Sequence, residues 1–205
     1  MKSDHSKNRD EDFKHFAIGV GGAGTNMIDN LIDFGLRNFG FIALNTDEEG
    51  FERSKSPIKL IIGKELIENN SSIVSKEVCQ DAIFENSGTI KRLRMILHKS
   101  KTIFILSGLG GDTGSAVTPV IARLGRILEA KIVALVTTPF SFEGEKRTRH
   151  AIDCLDALNK YVDALIVIPN DSLRRVAGKN DSMPDAFRLT DRKFFELMST
   201  LLNVY

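Results

Sequence analysis

The sequence predicts an α/β domain built on a doubly wound, mostly parallel six-stranded sheet with helices on both faces. Three observations predict it. Six short runs are apolar throughout, segments of helical period separate them, and two of the runs pass directly into glycine-rich loops. A strand buried on both faces reads as a continuous apolar run, whereas a half-exposed one alternates, so these runs suit a parallel sheet covered on each side.

Residues Met1 to Asp12 are almost all polar or charged. Burial there cannot offset the entropy of ordering, so a disordered tail is expected ahead of one domain over residues 13–205. The first strand runs from Phe16 to Val20 and leads through Gly19-Val20-Gly21-Gly22-Ala23-Gly24-Thr25-Asn26 to a helical stripe of Met27, Ile28, Leu31 and Ile32. Phe39 to Leu44 and Ile58 to Ile62 supply the next two strands. Lys91, Arg92 and Arg94 read as one solvated helix face. The fourth strand, Thr102 to Ser107, enters a second glycine loop, Ser107 to Ser115, before the stripe Val117, Val120, Ile121, Leu124 and Leu128. Lys131 to Thr137 is the fifth strand, Leu155, Leu158 and Val162 mark a further helix, and Ala164 to Ile168 is the sixth strand. From Pro184 to Tyr205, Phe187, Phe194, Leu197, Met198, Leu201 and Leu202 recur at helical spacing, so the sequence stops inside or just after a helix.

At 205 residues the chain can build one substantial core. Lys plus Arg (28) nearly equals Asp plus Glu (27), a formal charge of +1, which argues against a generic polyanion binder and so against nucleic acid as partner. No apolar run approaches the roughly 18 residues that span a bilayer, and the polar start has no signal-peptide core, so no membrane association and a cytoplasmic location are expected. Cys79 and Cys154 show no metal-ligand spacing and read as reduced, partly buried thiols.

The chemistry is concentrated in the strand-to-helix loops, because ligands of open α/β sheets sit beyond the carboxyl ends of the strands. Glycines let the backbone turn sharply and approach a phosphate, and a helix N-terminus adds unpaired N–H groups and partial positive charge. The first loop alone leaves the nucleotide open. Gly19, Gly21 and Gly24 also satisfy the G-x-G-x-x-G pattern of an NAD(P)-binding Rossmann protein, with Asp47 where a ribose-binding acid belongs. The second loop, Gly108-Leu109-Gly110-Gly111-Asp112-Thr113-Gly114-Ser115, discriminates, because a dinucleotide fold does not need a second cradle. Two helix N-termini converging at one sheet edge suit a di- or triphosphate, with the Thr113 and Ser115 hydroxyls as added donors.

These loops resemble those of the tubulin and FtsZ superfamily, whose signature loop reads close to GGGTGSG where this chain has Gly110 to Ala116. Gly21, Gly22, Ala23, Gly24, Thr25 and Asn26 lie in the segment similar to the family's first glycine loop, and Asn45-Thr46-Asp47 resembles its second. Thr138 to Arg147 looks like the family's TKPFxFEGxxR ribose loop, which implies that Pro139, Glu143 and Arg147 lie near sugar and phosphates. Ile168-Pro169-Asn170-Asp171 matches its IPND turn, so the resemblance implies that Asn170 reads the guanine edge. Asp185-Ala186-Phe187 and Asp191 resemble the start of the family's central helix, implying that Phe187 stacks on the base and Asp191 hydrogen-bonds it. Read without the resemblance, Asn170 could be a helix cap, Phe187 core, and Glu143 with Arg147 an exposed i,i+4 pair. The resemblance covers about residues 13 to 205 and implies a GTP- or GDP-binding domain.

Departures from the family pattern qualify that reading. Asp112 stands at a glycine position, and a carboxylate about 4 Å from a phosphate costs on the order of 4 kcal/mol at an effective dielectric near 20. It must point away, share a Mg²⁺ ion with the phosphates, or mark weakened binding. Thr25 and Ala116 also replace glycines, and Asn69-Asn70-Ser71-Ser72 replaces a stretch that senses the γ-phosphate. FtsZ continues past its central helix into an acidic loop that acts on the neighbouring subunit's nucleotide; this sequence ends at Tyr205, so no catalytic residue is assigned and self-assembled GTPase activity is not expected. The expected role is a non-polymerising relative that caps or modulates full-length FtsZ, the other alternative being a degenerate interaction module without nucleotide.

Overall fold

Runs that are apolar on both sides must be covered on both sides, and a computed structural model pairs all six into one sheet between two helical layers. The structure describes residues 13–46, 53–62, 88–176 and 182–204. The strands are β1 (His15–Val20), β2 (Gly40–Asn45), β3 (Ile58–Ile61), β4 (Thr102–Gly108), β5 (Lys131–Thr138) and β6 (Ala164–Pro169). They lie in the order β3-β2-β1-β4-β5-β6, and every described pairing is parallel. Each expected strand is present, with its ends shifted by one residue at most. The expected tail over residues 1–12, Asp47, the altered third loop and Cys79 lie outside the described residues.

The helices are α1 (Gly21–Asp33), α2 (Gly88–Leu97), α3 (Asp112–Ile127), α4 (Glu145–Leu158), α5 (Asn170–Val176) and α6 (Met183–Val204). Side chains alternate across a strand, so even an all-apolar strand serves two cores. Ile18 and Val20 of β1 and Ile105 of β4 pack with α2, α3 and α4 through Leu93, Leu97, Ile121, Leu124 and Leu158. Ala17, Phe104 and Leu106 face the other way, against Met27, Ile28 and Leu31 of α1 and Phe194 and Met198 of α6. Each fully buried Leu, Ile or Phe contributes roughly 1.5–3 kcal/mol of transfer free energy. Cys154 lies in the first core, and burial pushes its thiol up to about 12. It is therefore unreactive packing material. Val162, expected on the α4 stripe, lies beyond the end of that helix, though it still packs against the core. Lys91, Arg92 and Arg94 are exposed on α2, as a solvated face requires.

Local chemistry fixes where α6 begins. Ser182 Oγ accepts from the Asp185 N–H, and the Ser182 N–H donates to Asp185 Oδ2, a reciprocal capping box with Pro184 in the first turn where its missing N–H costs nothing. Both helical turns that follow β1 and β4 begin earlier than the apolar stripes suggest. Gly21 to Asn26, expected as loop, form the opening of α1, and Asp112 to Ser115 form that of α3. Glycine's low helix propensity hides these starts in the sequence, and packing against the sheet overrides it.

The chain turns from β1 toward β2 but from β4 toward β5, so the connections diverge and leave a crevice at the carboxyl ends of β1 and β4. Glycine contact closes its floor. A Cβ on Gly24 would lie 2.4 Å from the Leu106 carbonyl oxygen of β4, and one on Gly19 would lie 2.3 Å from the Gly24 oxygen. Replacing Gly24→Ala forces backbone apart and is expected to cost about 1–3 kcal/mol or more. Gly22→Ala, with nothing within 4 Å of the added carbon, is expected to stabilise α1 by about 0.5 kcal/mol. Urea unfolding of the two variants beside the parent measures the contrast.

Candidate functional site

The two glycine turns meet across the crevice. A Cβ on Gly108 would lie 2.7 Å from Ala23 Cβ, and one on Gly21, whose φ of 72° suits glycine, would lie 3.5 Å from Thr113 Cβ. Behind α1 and α3 stand extended residues, Val20 and Gly111, and neither helix start receives a side-chain cap. Their first-turn N–H groups thus converge without side-chain acceptors, next to Gly22, Ala23, Asn26 and Gly111, which are exposed. Such a pair of helix starts attracts a multiply charged anion.

Second-loop residues hold this shape. Gly110 takes a φ of 99° against Pro139, whose Cγ would lie 3.0 Å from an added Cβ, and the Gly110 N–H donates to Ser115 Oγ at 2.8 Å. Gly114 packs on the Gly108 carbonyl, where a Cβ would stand 2.3 Å from oxygen. Ser115 and Thr113, expected as phosphate donors, therefore also brace the turn. The Thr113 hydroxyl meets that of Thr46 at 3.0 Å, which ties the turn after β2 to α3, while Asn45 Oδ1 accepts from the Thr46 N–H at 2.8 Å. Thr25 is 3% exposed and its hydroxyl has no protein partner. Asp112 opens α3 with its side chain 75% exposed and its Oδ1 4.0 Å from His150 Nδ1. Its carboxylate is open to solvent there.

Beyond β5, Glu143 and Arg147 engage each other: Arg147 Nη1 donates to Glu143 Oε2, and Glu143 Oε1 accepts from the Phe140 N–H at 2.7 Å. The i,i+4 pairing anticipated from spacing is the arrangement seen, with Arg147 at 57% exposure left at the solvent edge. Ser141 N–H donates to Asp171 Oδ2 at 3.1 Å, tying this segment to α5. Phe140 stacks on Phe142 at 4.9 Å and meets Phe187 edge-on at 6.1 Å. Half-buried Phe187 belongs to a small cluster with Leu173 and Ala186, set apart from the two main cores.

Two buried polar groups stand out beside that cluster. Asn170 is the first residue of α5, 8% exposed, and its Oδ1 has no partner, so the cap anticipated for it is not made. Asp191, 4% exposed on α6, accepts from Asn30 Nδ2 of α1 at 2.6 Å. Burial raises its carboxyl to about 6, against the opposing pull of the Asn30 hydrogen bond and the Arg188 charge. Asn30 was not singled out from sequence. The signal was a polar residue beside the apolar stripe of α1, but its partner lies 161 positions away.

The chain matches the model of the Tubulin/FtsZ family, GTPase domain, over residues 14–178. Among solved structures it is similar to FtsZ from M. jannaschii, solved as an empty dimer, at 32% identity and a TM-score of 0.72 over 91% of this chain and 53% of that one. CetZ2 from Haloferax volcanii, solved as a GTPγS-bound protofilament, is 23% identical with a TM-score of 0.72 over 92% of this chain and 58% of that one. TubZ of Clostridium botulinum phage c-st is 15% identical with a TM-score of 0.63 over 90% and 59%. The last two likenesses show the fold alone. This chain spans a little over half the length of these solved chains.

Asp191 yields a pH prediction. Its folded value of about 6 lies above the ordinary 3.8, so folding favours the protonated acid. The stability this gives is complete below about pH 4 and lost as pH rises through 6, leaving a cost on the order of 3 kcal/mol at neutral pH. Without ligand, Asp191→Asn is expected to raise unfolding stability at pH 7.5 by about 1–3 kcal/mol and to change it little at pH 4, as urea titrations at both pH values will read.

Proposed function

The chain belongs to the tubulin/FtsZ family of GTPase domains, and from that premise we propose that it binds guanine nucleotide, GDP or GTP, in the crevice between β1 and β4. The phosphates rest on the opening turns of α1 and α3. The base lies toward α6. The observation that carries the guanine reading is the pair of buried groups left over by the fold, the unpartnered Asn170 Oδ1 and the carboxylate of Asp191.

Guanine presents N1–H and an exocyclic amino group side by side, and a carboxylate accepts from both. Asp191 supplies it, Asn30 fixes its orientation, and the Asn170 amide, with its NH₂ turned to the base, donates to guanine O6 or N7. Phe187 offers an aromatic face for the base. Pro139 shapes the turn under the phosphates, while Arg147 and Glu143 must part to reach sugar or phosphate. That costs little, since an exposed pair is worth under about 1 kcal/mol. A Mg²⁺ ion, where present, takes most of its ligands from phosphate and water. Among the described residues no cluster of three or more His, Cys, Asp or Glu side chains could hold one, and Asp112, which opens α3, is an acidic group able to join it.

Asp112 opposes this reading only modestly, because its side chain is 75% exposed and lies nearer the bulk-water limit, where two unit charges about 4 Å apart repel by about 1 kcal/mol rather than about 4. The finer part of the proposal concerns the 205-residue chain as it stands. That finer part is that these 205 residues, which span 53% of the FtsZ chain they match, cap or modulate a filament of full-length FtsZ rather than build one, since an open filament needs two complementary faces on every subunit.

Calorimetry with GDP and GTP, each with and without Mg²⁺, tests the site: saturable one-to-one binding is expected, and silence in all four titrations would defeat it. Binding that emerges only in Asp112→Gly would instead identify a module whose nucleotide site the carboxylate has closed. Asp191→Asn exchanges one acceptor oxygen for a donor, which mismatches guanine and matches xanthine, so the variant should favour XDP over GDP by tenfold or more. For the filament role, the chain with GTP should not pellet by itself but should shorten filaments of full-length FtsZ at substoichiometric amounts; unchanged filament length would rule this out.

A further inference from the structure

At the opposite, amino-terminal edge of the sheet lies a cavity of about 350 Å³ lined by His15, Leu36, Arg37, Asn38, Phe195 and Ser199. That volume falls in the range of small-molecule sites, roughly 300–1,000 Å³. Its walls come from three elements: the first residue of β1, the turn from α1 to β2, and the outer half of α6. The turn is held in shape by the Gly35 N–H to Ile32 carbonyl and Leu36 N–H to Leu31 carbonyl bonds, both 3.0 Å, with Gly35 and Asn38 in left-handed conformation at φ 85° and 65°. The cavity is thus preformed rather than a gap between loose segments.

We propose that this cavity is a second ligand site, taking a small organic acid whose carboxylate meets Arg37 and His15 and whose apolar tail lies on Leu36 and Phe195. Three observations point there. The lining combines an arginine, whose planar fork matches a carboxylate, with apolar walls, and among the described residues it contains no acidic side chain. His15 Nδ1 is buried without a hydrogen-bond partner, a cost that a ligand oxygen removes once the half-buried ring turns to meet it. Two cations act on it: Lys14 and Lys101 are joined through their backbones by the Lys101 N–H to Lys14 carbonyl bond at 2.7 Å. After burial, the charges of Lys101 and Lys14 are what pull the His15 imidazole below its ordinary value. A bound carboxylate counters those charges and raises it again.

This site lies apart from the nucleotide crevice, and its test needs no nucleotide. NMR spectra of the whole chain, following backbone amides and imidazole nitrogens, are recorded against 4-phenylbutyrate, its amide, and inorganic phosphate. Saturable shifts at His15, Arg37 and Ser199 with the acid alone, together with a higher His15 titration midpoint in its presence, are expected. Arg37→Met, which keeps length without charge at an exposed position, should weaken binding at least tenfold, and His15→Gln should abolish the titration change while retaining part of the affinity. Equal shifts with the amide, an equal response to inorganic phosphate, shifts confined to the glycine turns, or no saturable response would each overturn the proposal.

Discussion

The crevice depends on backbone packed against backbone at Gly19 and Gly24. With a Cβ position 2.4 Å from the Leu106 oxygen, no side chain fits between α1 and the β1–β4 pair. That contact draws the start of α1 onto the two central strands, and the parallel pairing of β1 with β4 then carries the second glycine turn to the same height. Gly108 and Gly114 repeat the device one strand over, against Ala23 and the Gly108 carbonyl. A cradle made of main-chain N–H groups needs two helix starts within reach of one anion, and missing side chains provide that proximity.

Opposite in character is the pair Asn170 and Asp191. The glycine contacts lower the energy of the fold, whereas an unpartnered amide oxygen and a buried carboxyl raise it. Fold stability alone does not explain retaining either. Buried groups that oppose folding are where a sequence gives up local consistency, and the proposed guanine contacts give these two a reason. Cys154 makes the useful comparison: it is as buried as Asp191 and burial raises it too, yet it sits deep in an apolar core and has nothing to recognise.

How much could be read in advance follows from these distinctions. Strands such as Thr102–Gly108 were legible because burial on both faces leaves an unbroken apolar run, and the glycine turns were legible because few other residues permit the backbone they need. Helix starts were not. Gly21 to Asn26 look like loop by propensity, and only packing against the sheet makes them helix. The pairing of Asn30 with Asp191 was hidden by distance along the chain, and sequence left three readings open for Asp112, whose side chain is exposed beside His150. Spacing did anticipate the Glu143–Arg147 pair, since four residues are one helical turn. Family likeness supplied roles for Asn170 and Phe187 that their own surroundings in sequence did not.

Helix α6 has a consequence of its own. At 1.5 Å per residue its 22 residues form a rod of about 33 Å, gripped through Asp191 by α1 and braced along its length by Phe194 and Met198 against the sheet. Phe187 and Asp191 sit on one stretch of this rod and Phe195 and Ser199 on the next, so the crevice and the cavity share one stiff shaft. Axial sliding or rotation of that shaft would be felt at both. Thermodynamic reciprocity then fixes the relation between them: whatever factor an occupant of one end imposes on affinity at the other, it receives back in equal measure.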